Sequence, residues 1–162
     1  MKNYQYSKHK ILDRDELGRQ LLRWRLLGQT LAFTNGVFDI LHSGHIDSLD
    51  KAGSFADVLI VGVNSDASTG RLKPGRPVNG EADRMRLLAA LEVVDAVVLF
   101  GEDTPLELIV QVRPDVLVKG GDYSIGQIVG APEVQGWGGR VEIITYQQGY
   151  STTGLIEKIH SL

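Results

Sequence analysis

No cysteine occurs in the 162-residue chain, which excludes a disulfide framework, a thiolate zinc site and a cysteine nucleophile. No apolar run approaches the ~20 residues that a bilayer-spanning helix needs. The segment from Met1 to Glu16 is polar and charged, with no apolar signal core. A soluble, cytoplasmic protein with no membrane partner is the expectation. An excess of positive charge is also missing: 17 Lys and Arg stand against 20 Asp and Glu, a formal net charge of −3. That balance argues against bulk nucleic acid or an anionic membrane as the main partner. Repeats, low-complexity tracts and Pro/Ser-rich linkers are absent. One domain is therefore expected over 1–162, with an extension and helix over 1–28 and the core over 29–162. Glycine alone is abundant, 19 of 162 residues against a usual ~7%, which signals places where the backbone turns freely or is approached closely.

The patterning alternates between strands and helices. Asp13 with Glu16 resembles a capped helix start, and Leu17 to Leu27 has helical spacing up to a stop at Gly28. Short apolar strands are predicted over Thr30–Thr34, Asp57–Val63, Val93–Phe100, Asp115–Lys119 and Val141–Tyr146. Helices are predicted over Gly44–Phe55, Glu81–Leu91, Thr104–Gln111 and Thr152–Ser161, and Asn64–Asn79 reads as a long polar loop. Strands apolar at nearly every position are buried on both faces. The alternation predicts an α/β fold, a five-stranded parallel sheet flanked by helices on both faces. In such folds ligands bind beyond the carboxyl ends of the strands, where the strand order reverses. The first strand ends at Thr34-Asn35-Gly36, so the loop after it is the first place to look.

That loop reads Val37-Phe-Asp-Ile-Leu-His42-Ser-Gly44-His45. Two histidines three residues apart, with a glycine between them, fall where a loop enters a helix. A helix start offers unpaired N–H groups and the positive end of a dipole. Gly44 lets a phosphate approach the backbone without meeting a Cβ. His42 and His45 can donate ring N–H bonds to the same phosphoryl oxygens, as phosphoryl and nucleotidyl transfer require. Two ordinary surface or core histidines are the plain alternative. A zinc site lacks a third ligand nearby and a H-E-x-x-H pair. Neither G-x-x-x-x-G-K-[ST] nor G-x-G-x-x-G is present, which argues against a P-loop enzyme or a dinucleotide-dependent oxidoreductase.

The run from Thr34 to His45 resembles the H-x-G-H signature of the nucleotidyltransferase superfamily, whose members bind a nucleoside triphosphate over a Rossmann-like sheet and attack its α-phosphorus. Further stretches narrow the resemblance: Val63-Asn-Ser-Asp-Ala-Ser-Thr69, Arg71-Leu-Lys73, Arg76-Pro-Val-Asn79, Arg84, Val118-Lys-Gly-Gly-Asp-Tyr123, Gly138-Gly139 and Gly149-Tyr-Ser-Thr-Thr153. From about Ile11 to Ile159 these are similar to the D-glycero-β-D-manno-heptose 1-phosphate adenylyltransferase branch, which often forms the C-terminal half of a bifunctional kinase/adenylyltransferase. No sugar-kinase half is present, so the expectation is the stand-alone form. Gln147-Gln-Gly-Tyr150 departs from the Arg-Thr-Glu-Gly-Ile of glycerol-3-phosphate cytidylyltransferases, and Val37 stands where the branch often has Cys.

The resemblance implies site residues. His42, His45 and a mobile Lys73 would be catalytic. Thr34, Asn35, Gly36, Phe38, Gly44, Lys119, Gly120, Ser151, Thr152 and Thr153 would hold the nucleotide. Asp39, Asn64, Asp66, Arg76 and Asp122 would hold the sugar phosphate. Each has a physical rationale and a plain alternative. Ser151-Thr-Thr153 at a helix start suits the β- and γ-phosphates, or is a simple N-cap. Arg76 can fork onto a phosphate, or belongs with Lys73 to a solvated basic loop. The Lys119-Gly-Gly-Asp122 turn allows close base or sugar contact, or is a tight turn capped by its Asp. Asp39 can meet a sugar hydroxyl or a metal-bound water. Trp137 suits a packing role better than base stacking.

The implied partners are ATP and a sugar 1-phosphate. The implied cofactor is Mg²⁺ bound mainly through substrate phosphates, with no metal site on the protein itself. Homodimers or higher homo-oligomers are common in the superfamily. The alternatives are a cytidylyltransferase acting on glycerol 3-phosphate or another polyol phosphate, and a non-catalytic nucleotide-binding protein.

Overall fold

The computed structural model describes residues 6–145 and 152–161. Six strands form one parallel sheet: β1 (Ile11–Leu12), β2 (Leu31–Gly36), β3 (Val58–Asn64), β4 (Ala96–Phe100), β5 (Val116–Gly120) and β6 (Arg140–Ile144). Among the described residues seven α-helices accompany them: α1 (Arg14–Leu26), α2 (Ser43–Gly53), α3 (Asp66–Leu72), α4 (Glu81–Ala89), α5 (Leu106–Val112), α6 (Ala131–Gly136) and α7 (Thr152–His160). The strand order is β1-β4-β3-β2-β5-β6. Five strands are expected from the patterning; the sixth is β1, which pairs Ile11 with Val97 and Leu12 with Val98 at the sheet edge. Two residues are too short to show alternation, so this strand carries no periodic signal. Among the described residues no helix is long and apolar enough to cross a membrane.

Successive strand residues point to opposite faces, and both faces are apolar. Leu31, Phe33, Val58, Ile60, Ala96, Val98 and Leu117 pack with Leu17, Leu21, Leu108, Ile109 and Val134 on one side. Ala32, Leu59, Val61, Val63, Val97, Val116 and Val118 pack with Leu49, Ala52, Leu88 and Ala89 on the other. Two-sided burial explains the uninterrupted apolar runs. Gly62 is required in the middle of β3: a Cβ there would stand 2.9 Å from the Phe33 ring and 3.1 Å from Leu108.

The N-terminal end of the sheet is closed by a repeated device. An aspartate directly precedes each of β3, β4 and β5, and its carboxylate accepts an amide at or just before the start of the neighbouring strand. Asp57 accepts the Thr30 amide at 2.8 Å and its hydroxyl at 2.7 Å. Asp95 accepts the Leu59 amide and Asp115 the Leu31 amide, both at 2.8 Å. α1 starts as its sequence predicts, Asp13 accepting from the Glu16 amide and Glu16 from the Asp13 amide.

The chain enters the sheet core through β2, builds outward through β3 and β4, then returns to the other side of β2 as β5. The order therefore reverses between β2 and β5, and their carboxyl ends open a crevice between diverging connections.

Candidate active site

A cleft of about 530 Å³ lies in that crevice. Its floor is made by strand ends: Thr34, Asn35 and Gly36 of β2, Asn64 of β3, and Val118, Lys119 and Gly120 of β5. His45 and Ser48 of α2 form one wall, with Lys73 and Arg76 beside them. Pro105, Tyr123 and Thr152 complete the rim.

The loop leaving β2 is held tightly. Phe38 takes a left-handed backbone conformation, φ 52°, which costs a non-glycine residue about 1–2 kcal/mol. Its buried ring repays part of this by packing over Gly36, where a Cβ would come within 3.1 Å of it. The same ring stands 5.5 Å from that of His45. His42 is the N-cap of α2, its backbone extended (φ −143°), and its carbonyl accepts the His45 amide at 2.9 Å. The two imidazoles lie almost face to face, centroids 3.9 Å apart and planes 30° from parallel. Burial lowers the pKa of both; that of His45 is pushed down to about 4 by burial and by the neighbouring His42. The pair is therefore neutral at pH 7 and presents N–H donors rather than charge. His45 Nδ1 is buried and has no hydrogen-bond partner among the described residues. Such an atom costs about 1–3 kcal/mol until a ligand or water satisfies it. No acidic residue occupies the first turn of α2, so the helix N-terminus is left for an anion.

Two arginines fix this loop to its neighbours. Arg84 of α4 is fully buried. It donates to the carbonyls of Val37, Asn64 and Asn79 and pairs with Asp66 at 2.7 Å. It thus ties the histidine loop, the end of β3 and the segment before α4 together. Arg76 pairs with Asp39 at 2.7 Å. Asp39, 4% exposed, also accepts the amides of Val78 at 2.8 Å and Asn79 at 2.9 Å. Burial works to raise the Asp39 carboxyl, but the Asn79 and Val78 amides and the Arg76 guanidinium outweigh it and hold it below its ordinary value. Lys119 is lowered by burial; its Nζ donates to Asn35 Oδ1 at 3.5 Å.

The cleft gathers most of the residues the sequence singled out: Thr34, Asn35, Gly36, Phe38, Asp39, His45, Asn64, Lys73, Arg76, Lys119, Gly120 and Thr152. Gly44 is buried in the first turn of α2, and His42 stacks behind His45. Asp66 stands off the cleft walls, its carboxylate given to Arg84 and to the Glu81 amide. Asp122 is exposed and likewise is not among the lining residues. Asn64 donates to Ser68 Oγ at 3.2 Å. Ser151 lies outside the described residues, and Thr153 belongs to α7. Trp137 donates its indole N–H to the Pro114 carbonyl at 3.0 Å, below the sheet and away from the cleft. Ser48, Asp103, Pro105 and Tyr123 line the cleft without having been nominated as site residues; only Tyr123, next to Asp122 in a quoted stretch, carried a signal.

The model of the cytidylyltransferase-like family matches residues 33–158. Among curated proteins, the chain is 54% identical over 155 residues to the "Bifunctional protein HldE" of Koribacter versatilis, covering 95% of this chain and 32% of that protein. It is 52% identical over 156 residues to the protein of the same name from Geotalea uraniireducens, covering 96% and 32%. The chain thus spans about a third of the length of the curated relatives it matches. Among solved structures, a lipopolysaccharide core biosynthesis protein from Thermoplasma volcanium superposes with a TM-score of 0.61 at 31% identity, over 76% of this chain and all of that one. A pantoate–β-alanine ligase from Francisella tularensis, solved with an ATP analogue and β-alanine, shares the fold: TM-score 0.61 at 16% identity, over 94% of this chain and 78% of that one. With the family model covering most of the chain, from within β2 to within α7, this protein belongs to the cytidylyltransferase-like family.

Proposed function

We propose that the chain is a nucleotidyltransferase that transfers AMP from ATP to D-glycero-β-D-manno-heptose 1-phosphate, giving ADP-heptose and pyrophosphate for surface-glycan precursor synthesis. The observation that carries the reaction class is the stacked pair His42 and His45 at the N-terminus of α2, on the edge where the strand order reverses. The acceptor rests on the resemblance from Ile11 to Ile159. In its support, relatives at about half identity are named bifunctional and are three times as long. The Thermoplasma relative is named a lipopolysaccharide core biosynthesis protein.

A sugar phosphate is already an oxyanion, mostly dianionic above its second pKa of ~6. Its attack on the α-phosphorus needs no general base, and among the described residues the carboxylates lining the cleft are already paired: Asp39 with Arg76 and two amides, Asp103 with Arg71. Catalysis is then positioning and stabilisation of charge. The imidazoles and the α2 amides hold the α-phosphate, Thr152 and its neighbours at the start of α7 hold the departing pyrophosphate, and Lys73, exposed on the rim, closes over it. Among the described residues no group of three or more His, Cys, Asp or Glu is placed to hold a metal ion. A Mg²⁺ that arrives on the triphosphate would neutralise phosphate charge.

The test is pyrophosphate release by the purified chain with Mg²⁺, crossing ATP and CTP with the β-heptose phosphate, its α-anomer and glycerol 3-phosphate. Release only with ATP and the β-heptose phosphate is expected. Release with CTP and glycerol 3-phosphate overturns the acceptor and keeps the reaction class; ATP binding without release from any acceptor favours a non-catalytic binding protein.

A further inference from the structure

Among the described residues one arginine and two lysines line the cleft: Arg76, Lys73 and Lys119. They are not equivalent. Arg76 is neutralised by Asp39 at 2.7 Å. Lys73 is exposed to solvent on the rim. Lys119 is half-buried on the floor at the end of β5, forms no ion pair among the described residues, and has only the weak contact to Asn35 Oδ1 at 3.5 Å. A desolvated ammonium without a carboxylate is unfavourable, and burial lowers its pKa accordingly. The histidine pair on the α2 side of the cleft is neutral at pH 7. Neutral imidazoles can direct hydrogen bonds at a phosphoryl group but cannot balance its charge, and charge accumulates there when an anionic nucleophile attacks.

We propose that Lys119 is the charge partner of the α-phosphoryl group: its ammonium, steered by Asn35, bonds a non-bridging α-phosphate oxygen in the nucleotide complex and through the transition state. This rests on the nucleotidyltransferase reading and adds a catalytic residue on β5, across the cleft floor from the helix that carries the histidines. It separates a phosphate contact from the base or sugar contact that the Lys-Gly-Gly-Asp turn also allows.

The absence of cysteine makes a clean test available. Lys119→Gln removes the charge; Lys119→Cys introduces a unique thiol, which 2-bromoethylamine converts to a thioether carrying an ammonium at nearly the lysine position. Equilibrium binding of ATP and of adenosine, with turnover, is measured for wild type, Lys119→Gln, and Lys119→Cys before and after alkylation. Loss of one charge-assisted hydrogen bond should weaken ATP binding about tenfold to a hundredfold. Adenosine, which lacks the phosphates, should change less than about twofold, a small fraction of the 1.4 kcal/mol per tenfold. Alkylation should restore both ATP affinity and turnover. The ligand-free Tm of Lys119→Gln should equal or exceed that of wild type, since a desolvated charge has gone. Unchanged ATP affinity overturns the proposal. So does equal weakening of adenosine, or failure of alkylation to restore ATP binding at matched Tm. A wild type that binds ATP but ignores the heptose phosphate breaks only the acceptor reading, and the ATP-to-adenosine ratio still decides Lys119. A wild type that binds no ATP overturns both.

Discussion

At the N-terminal end of the sheet, Asp57, Asp95 and Asp115 each present a carboxylate to an amide at or just before the start of the adjoining strand. At the C-terminal end, β2 and β5 finish in glycine, His45 keeps a buried ring nitrogen without a partner among the described residues, and Lys119 keeps a charge without a counterion among them. The strands are the same; the polar bookkeeping differs. One end satisfies its groups internally and contributes stability. The other holds groups whose partners must arrive from solution, which costs stability in the ligand-free protein and supplies binding when a ligand comes. Substitutions at the two ends should therefore move different observables.

The largest contrast is expected at His45. His45→Ala should lower turnover by about 10²–10³, as loss of one preorganised donor does, while leaving the ligand-free Tm at or above wild type. A fall in ATP affinity with turnover kept would remove His45 from the transition state. Arg84→Met tests a place where the open end is internally braced. It frees three carbonyls and the Asp66 carboxylate at once, and should cost about 3 kcal/mol in denaturant unfolding. A stability change under about 0.5 kcal/mol, the size of an ordinary surface substitution, would contradict the bracing role. Asp95→Ala leaves the Leu59 amide with no partner. It should cost about 1 kcal/mol with kcat per folded molecule unchanged; a loss of kcat would blur the division between the ends.

A further contrast is a dependence of stability on pH. The fold lowers both imidazole pKa values, that of His45 from 6.5 to about 4, so the unfolded chain binds more protons between those values. That contribution to stability is complete above pH 6.5 and drains away as the pH falls towards 4. Asp39, held below its ordinary 3.8, adds a loss of the same sign at still lower pH. Ligand-free Tm measured from pH 8 to about 4 should fall in wild type and fall less in His45→Ala; parallel curves would mean that the imidazoles are not buried as described.

The strands and their faces were legible because two-sided burial writes itself as runs such as Val58-Leu-Ile-Val-Gly-Val63. The histidine loop was legible because three residues, Gly44 between His42 and His45, serve one chemistry at one spacing. α3 was read as part of a long polar loop because its seven residues, Asp66–Leu72, bury Ser68 and Thr69 rather than an apolar stripe. The helix is defined instead by the Ser65 side chain, which accepts the Ser68 amide at 3.1 Å. α6 is six residues long and likewise shows no period. The partition between substrate-facing and bracing charges was the least legible part. Asp39, Asp66 and Arg76 were nominated as sugar-phosphate residues from their place in the chain. Which carboxylate meets which arginine depends on contacts across 37 positions for Asp39 and 18 for Asp66, and local pattern does not encode such distances.

The position of β2 also bears on how the molecule comes together. β2 pairs with β3 through six consecutive residues and, on its other side, with β5 across 84 positions of chain, Ala32 opposite Val116. The β2–β3–β4 half can form while the chain is still short, whereas the β5–β6 half must close a long loop before its contacts return any free energy. The cleft floor takes residues from both halves. Nucleotide affinity should consequently appear as a late event in refolding, after most strand pairing, and a nascent chain stopped before Val116 would hold a histidine loop with nothing opposite it.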